Sequence, residues 1–422
     1  MISPMPECDL LVVGAGPAGV AAATVAAERG RAVLLLDDTP WLGGQIWRGE
    51  QQKPTNAQAQ TWLNRLARSG VRIIGEARMV GLEGPGRYVI ETPDHHWTIQ
   101  PKALVLATGA RELFLPFPGW TLPGILGAGG LQTLVKTGWP IEGQRVVVAG
   151  SGPLLLAVAA GLKKAGANVV GLFEQASPAS LARFGTQLIA HPDKIGQAFG
   201  LRRQLAGVPY KLGWWPVRAE GVNQVERLVL TSGRQTLTVD CDAVACGFGL
   251  VPSLELPTLL GCLLDGEAVA VDAGQQTSVQ GIFAAGELTG IGGNDKALVE
   301  GQVASLTAIG EHAAVFPLHR SRNGWRNFAR ALGKTFKPRP ELLKLAEPQT
   351  IVCRCEDVTY SQLSGYTSWR DAKLQTRCGM GPCQGRICGA ATRQLFGWGM
   401  ESVRPPVLAA RVASLIPSDE RI

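Results

Sequence analysis

The run Leu10-Leu11-Val12-Val13 passes directly into Gly14-Ala15-Gly16-Pro17-Ala18-Gly19 and then into an alanine-rich stretch reaching about Arg29. An apolar run with no polar face predicts a strand buried on both sides, as in a parallel sheet. The glycines have separate tasks. Gly14 permits a tight turn, Gly16 lets the backbone approach a pyrophosphate, and Gly19 lets the following helix pack close on the sheet. The start of that helix, where Pro17 and Ala18 are expected at the contact, offers phosphate the unpaired N–H groups of its first turn, Pro17 itself having none. Gly30 stands where a helix-ending glycine belongs. A second strand is expected over Ala32 to Leu36, ending at Asp37 and Asp38. Asp37 comes eighteen residues after Gly19, placed to accept hydrogen bonds from ribose hydroxyls. Strand, glycines, helix, strand and acid in this order specify an α/β dinucleotide-binding unit.

That unit fills only a fraction of a 422-residue chain, which is long enough for two or three domains. With 45% apolar and 18% charged residues the chain is globular. The net charge of +7 is modest, and no basic block interleaved with aromatics points to nucleic acid. Residues 1–9 hold no Lys or Arg, which argues against a secretory leader. Two uncharged runs, Leu10 to Ala27 and Val146 to Leu162, are read as buried strand-turn-helix units because glycines and a proline interrupt each one. The expectation is a cytoplasmic chain without a transmembrane segment, peripheral to a membrane at most through its complex.

Three further segments carry a resemblance. Trp41-Leu42-Gly43-Gly44-Gln45-Ile46-Trp47-Arg48, Ala103-Leu104-Val105-Leu106-Ala107-Thr108-Gly109-Ala110 and Gly281-Ile282-Phe283-Ala284-Ala285-Gly286-Glu287 are similar to motifs of flavoproteins built from two dinucleotide-binding domains. A β-meander is expected around Arg72 to Thr98, and an alanine-rich helix from about Asp295. The resemblance implies FAD, held by the residues already named together with Gly44, Gln45, Arg48, Val80, Ala107, Thr108, Gly109, Gly286 and Glu287. Family members mostly carry Asp where Glu287 stands.

A second unit, Arg145 to Leu155 followed by Asn168 to Glu174, repeats the pattern as Gly150-Ser-Gly152-Pro-Leu-Leu155. In the family this domain binds NAD(P)H. Leu155 occupies the third glycine position, and its side chain is expected to spoil close approach at the phosphates, so NAD(P) is not expected here. The Cys-x-x-Cys of disulfide reductases is absent from both places where the family carries it. Cys8, Cys241, Cys246 and Cys262 are dispersed and read as core fillers. None of the five histidines lies in a motif with a nucleophile or an acid, and no catalytic residue is assigned.

Five of the nine cysteines fall between 353 and 388: Cys353-Arg-Cys355, Cys378, and Cys383 with Cys388. Thiolates at such density suit zinc or iron–sulfur. Cys353-Arg-Cys355 is tighter than structural zinc pairs usually are, and fits two thiolates splayed on a turn toward one iron. The wording Cys-Arg-Cys-Glu…Gly-Met-Gly-Pro-Cys-Gln-Gly-Arg-Ile-Cys resembles the 2Fe-2S domain of the bacterioferritin-associated-ferredoxin type. That resemblance implies Cys353, Cys355, Cys383 and Cys388 as ligands and leaves Cys378 spare.

Over its whole length the chain is similar to the A subunits of opine oxidases and of D-hydroxyproline and proline dehydrogenases, and to the B subunit of hydrogen cyanide synthase. The likeness implies an electron-transfer subunit. Its partners would be a D-amino-acid-oxidase-like FAD subunit, a small ferredoxin-like subunit in some assemblies, and a quinone or respiratory-chain acceptor, with FMN as a further cofactor at an interface. The alternative is a self-sufficient NAD(P)H-dependent ferredoxin-type reductase. The expected architecture is α/β. A first FAD-domain segment spans 1–118, a degenerate NAD(P)-like domain 119–245, and a second FAD-domain segment 246–316. A linker over 317–345 and the iron–sulfur domain over 346–422 complete it.

Overall fold

The structure, a computed structural model, describes residues 8–399 and 403–416. The chain divides into two compact units. One comprises residues 1–111, 252–330 and 402–422, and the other 112–251 and 331–401.

In the first unit, Leu10–Val13 lies at the centre of a five-stranded parallel sheet. The strand order is Ile282–Ala284, Ala103–Leu106, Leu10–Val13, Val33–Leu36, Arg72–Ile74. The register sets Leu10 opposite both Val33 and Ala103, so the glycine turn leaves the carboxyl end of the sheet beside the ends of its neighbours. Helix Pro17–Ala27 is buried along nearly its whole length, which its small residues allow. It packs against helix Asn294–Ala308 so closely that a Cβ on Gly301 would lie 2.1 Å from the Ala18 carbonyl oxygen.

The expected meander begins later than Arg72. Arg72–Ile74 pairs in parallel with Val33–Leu36, and the antiparallel meander comprises Arg78–Gly84, Arg87–Glu91 and His96–Ile99. The tail docks on this meander: the Val407 N–H donates to the Val80 carbonyl at 2.9 Å. The Arg411 guanidinium reaches the carbonyls of Thr92, Pro93 and His95 at 2.7–2.9 Å. The described tail residues, 403–416, therefore belong with the first unit, whereas the reading from sequence set them in the cysteine region.

The second unit repeats the design with a parallel sheet ordered Tyr210–Leu212, Asn168–Glu174, Arg145–Gly150, Ala243–Gly247, Ile125–Gly127. A second meander, Trp215–Glu220, Arg227–Thr231 and Thr236–Asp240, covers it. The cysteine region belongs to this unit. Its short hairpin of Ile351–Cys353 with Val358–Thr359 and its helices Tyr360–Leu363, Trp369–Thr376 and Cys388–Phe396 enclose a small core of Val352, Val358, Leu363, Ala372 and Trp398. Trp120 Nε1 donates to the Ile351 carbonyl at 2.6 Å, and Leu342 is buried beside the cluster that holds Phe117 and Trp215.

Candidate flavin and metal sites

In the first unit four separate stretches meet at the start of helix Pro17–Ala27. Gly14 has φ +104°, and a Cβ there would lie 2.3 Å from the Ala107 carbonyl oxygen, which brings the Ala107-Thr108-Gly109 segment against the glycine turn. Gly19 could carry no side chain, since its Cβ would lie 1.7 Å from the Gly14 oxygen. The Gly43 N–H donates to the Ala15 carbonyl at 2.8 Å, and Gly44 sits against the Gly16 Cα. Gly286 approaches the Ala18 Cβ. Amid this crowding the space beside Gly16 is open.

These contacts fit a dinucleotide. The first-turn N–H groups at Ala18 and Gly19 have no carbonyl of their own helix to meet, and the open space beside Gly16 lies at the start of that turn. On the loop after Gly44, Trp47 Nε1 and Arg48 Nε are buried donors without a protein partner. Asp37 is buried; its Oδ2 accepts from the Ala15 N–H at 2.6 Å, and its Oδ1 accepts from the Thr39 N–H and hydroxyl at 2.9 and 2.7 Å. It therefore shapes the glycine turn, and Oδ2, which accepts a single bond, keeps a lone pair for a ribose hydroxyl. Asp38 and Gln45 are exposed, and Val80 is buried on the meander with its carbonyl taken by Val407.

Glu287 does not extend into open space. Its two oxygens accept from the N–H groups of Gly292 and Gly293, both at 2.8 Å. Burial raises its pKa against the opposing pull of Lys296 and these two donors. The carboxylate thus fixes the loop that leads into helix Asn294–Ala308. Beneath it lies an ion pair that the sequence did not announce. Lys296 Nζ donates to Glu300 Oε2 at 2.7 Å, to the Gly286 carbonyl at 2.8 Å and to Thr289 Oγ1 at 2.9 Å. A Lys and a Glu four apart on a helix usually mark a solvated face; here they are 2% and 0% exposed.

The second fingerprint folds as the sequence suggests but is put to another use. Leu155 turns into the core with Val146, Val148 and Val158. Glu174 is buried and accepts from the Gly152 N–H and the Ala176 N–H, both at 2.8 Å, as Asp37 does in the first unit. Loss of hydration pushes its pKa up to about 7. The chain's own linker then runs along this turn. Ser151 Oγ donates to the Phe336 carbonyl at 2.8 Å, Gln175 Nε2 donates to the Lys337 carbonyl at 3.1 Å, and the Arg339 guanidinium stacks 3.8 Å over the Trp215 ring. Nothing in the local sequence signals this, because the contacts join residues far apart along the chain.

The five clustered cysteines divide. The sulfurs of Cys353, Cys378 and Cys388 lie within 4.8 Å of one another, and all three residues are buried. Hydrogen bonds from the thiols of Cys378 and Cys388, with help from backbone N–H groups of Gly379 and Glu356, hold the Cys353 thiol far below its usual pKa. Cys355 is exposed and makes its contacts with the backbone and thiol of Cys383. Cys353 therefore lies within the buried trio, and Cys355 stands at its exposed edge beside Cys383. Cys353 ends a strand with its side chain in the core, whereas Cys355 lies in the turn beyond it. The intervening glycines are needed for this approach: a Cβ on Gly381 would lie 2.3 Å from the Cys355 Cβ, and one on Gly379 would lie 2.6 Å from the Trp369 ring. Cys378, which the ferredoxin-like resemblance leaves spare, lies in the tightest group, and the helix expected from about Ala390 begins at Cys388. A donor set of buried thiols suits a thiophilic metal.

Comparison with known proteins agrees with the first site. The pyridine nucleotide-disulphide oxidoreductase family matches residues 8–308. The chain belongs to this family. It is a flavin-dependent oxidoreductase, and the cysteine region lies beyond the matched residues. The HcnB subunit of hydrogen cyanide synthase from Pseudomonas aeruginosa is 30% identical over 418 residues, covering 90% of each chain. The A subunit of opine oxidase from Agrobacterium tumefaciens is 31% identical, covering 96% of this chain and 91% of that one. Among solved structures, L-proline dehydrogenase from P. horikoshii superposes with a TM-score of 0.70 at 21% identity, over 97% of this chain and 79% of the other. The expected kinship with opine oxidase A-type and hydrogen cyanide synthase B-type chains holds, as does the two-dinucleotide-domain α/β fold. No helix among the described residues is long and apolar enough to cross a membrane.

Proposed function

We propose that this chain is the electron-transfer subunit of a heteromeric amine or imino-acid dehydrogenase, of the opine, D-hydroxyproline, proline or glycine type. In this reading it holds FAD at the first glycine turn and a 2Fe-2S cluster among the clustered cysteines. It receives electrons from a D-amino-acid-oxidase-like partner subunit and passes them to a quinone or another acceptor. The carrying observation is the contrast between the two nucleotide turns. The first leaves open space at Gly16 and unpaired donors at Trp47 and Arg48, while the second has its flanking side chains bonded to the linker carbonyls of Phe336 and Lys337. A chain with a flavin site, a second turn engaged by its own linker and no assigned acid–base group suits a conduit better than a site of substrate oxidation. A flavin accepts electrons in pairs and a 2Fe-2S centre carries them singly, so the two together match a two-electron donor to a one-electron acceptor.

The names of the full-length relatives, subunits of an opine oxidase and of hydrogen cyanide synthase, support the heteromeric character of the complex. Its test is an anaerobic titration of the purified chain. NADH and NADPH are expected to leave the flavin absorbance unchanged over minutes. Adding the partner subunit with its amine substrate is expected to bleach it. Prompt bleaching by NADH or NADPH alone would overturn the subunit reading in favour of a self-sufficient reductase.

A further inference from the structure

The cysteine region holds one thiol more than a 2Fe-2S cluster uses, and that thiol is neither remote nor exposed. Such a cluster takes four thiolates, two on each iron. Cys355 and Cys383 form one pair at the surface. What remains for the inner iron is a set of three, Cys353, Cys378 and Cys388, with every sulfur within 4.8 Å of the other two.

The backbone is arranged to put Cys378 there. Helix Trp369–Thr376 ends at Arg377 in the left-handed conformation, φ +65°, a region that a residue with a Cβ enters reluctantly. The turn swings Cys378 inward, where its N–H donates to Thr376 Oγ1 at 3.2 Å and its side chain is fully buried. A cysteine that only fills the core would meet apolar neighbours alone. Cys378 shares the small core with Val352 and Leu363 but is also met by two other sulfurs.

We infer that Cys378 is an interchangeable ligand, so that the inner iron has three thiols for two coordination positions. The inference rests on the 2Fe-2S reading above. Exchange needs no outside reagent: the bond from iron to one sulfur breaks, the bond to Cys378 forms, and the Cys378 proton moves to the departing thiolate. The inner iron thus keeps two protein thiolates when one of the three is lost.

The test uses the full-length chain purified anaerobically, with iron, zinc and acid-labile sulfide measured and an EPR spectrum taken after dithionite reduction. Alanine is the replacement, because a serine oxygen can itself bind iron. Cys388→Ala and Cys378→Ala are each expected to retain iron and sulfide near the unsubstituted level, with shifted g-values in Cys388→Ala. The double substitution is expected to lose the cluster, as is Cys383→Ala alone. Loss of iron in Cys388→Ala, together with an unaltered spectrum in Cys378→Ala, would overturn the inference and make Cys378 a bystander. Zinc in place of iron in the unsubstituted chain would instead remove the 2Fe-2S reading, and the inference with it. Hydrogen exchange in the Ile351–Cys353 hairpin and helix Trp369–Thr376 separates cluster loss from misfolding of the cysteine region. Should Cys388→Ala lose protection there, Cys353→Ala puts the same question to the same three sulfurs, with the same outcomes.

Discussion

Replacing Lys296 by Met is the sharpest probe of how the first unit is held together beneath the flavin site. Lys296 and Glu300 are 2% and 0% exposed and 2.7 Å apart. Met fills the volume of the lysine stem but leaves the Glu300 carboxylate with no hydrogen-bonded cation and only the Gly286 N–H and Thr289 hydroxyl as donors. Breaking a buried pair in this way costs about 3–5 kcal/mol. Adding Glu300→Gln to Lys296→Met removes the unpaired charge and is expected to recover most of the loss. Urea unfolding followed by release of flavin fluorescence, at fixed protein and flavin concentration, reads both variants. A penalty below about 1 kcal/mol for Lys296→Met, or no recovery in the double variant, would refute the reasoning that this pair is a desolvated charge couple.

Other expectations follow from single contacts. Gly381→Ala places a methyl 2.3 Å from the Cys355 Cβ, so the variant is expected to lose iron while retaining flavin, as measured by metal analysis and visible absorbance. Because the pKa of Glu174 is raised on folding to about 7, the second unit should lose stability as pH rises from about 4.5 to about 7 and level off above. The loss is about 3 kcal/mol, and Glu174→Gln should abolish the slope in thermal melts whatever its effect on the baseline. Trp120→Phe removes the donor to the Ile351 carbonyl. It is expected to cost about 1 kcal/mol and to speed hydrogen exchange in the hairpin of Ile351–Cys353, whereas unchanged exchange there would show that the bond does not anchor it.

The legible regions of the molecule are those where one short segment carries its own physical requirement. The turn at Gly14 to Gly19 is readable because only glycine tolerates the Ala107 and Gly14 oxygens at those distances. Asn168–Glu174 is readable because an unbroken apolar run ending in an acid has few other uses. The Lys296–Glu300 pair is not, since the same spacing on an exposed face looks identical in sequence. Nor is the role of the linker, whose carbonyls at Phe336 and Lys337 meet Ser151 and Gln175 only after the long intervening chain has folded.

The sequence by itself determined the α/β class, the two dinucleotide turns and a cysteine region, because each rests on local spacing and on residue types with narrow tolerances, and its resemblance to flavoprotein motifs implied the flavin. The tertiary structure decided what spacing cannot encode. It placed the tail on the first meander, laid the linker along the second turn, and buried Cys353 while leaving Cys355 exposed and bringing Cys378 to Cys353 and Cys388. Those outcomes depend on which surfaces are buried against each other, and burial is a property of the folded whole.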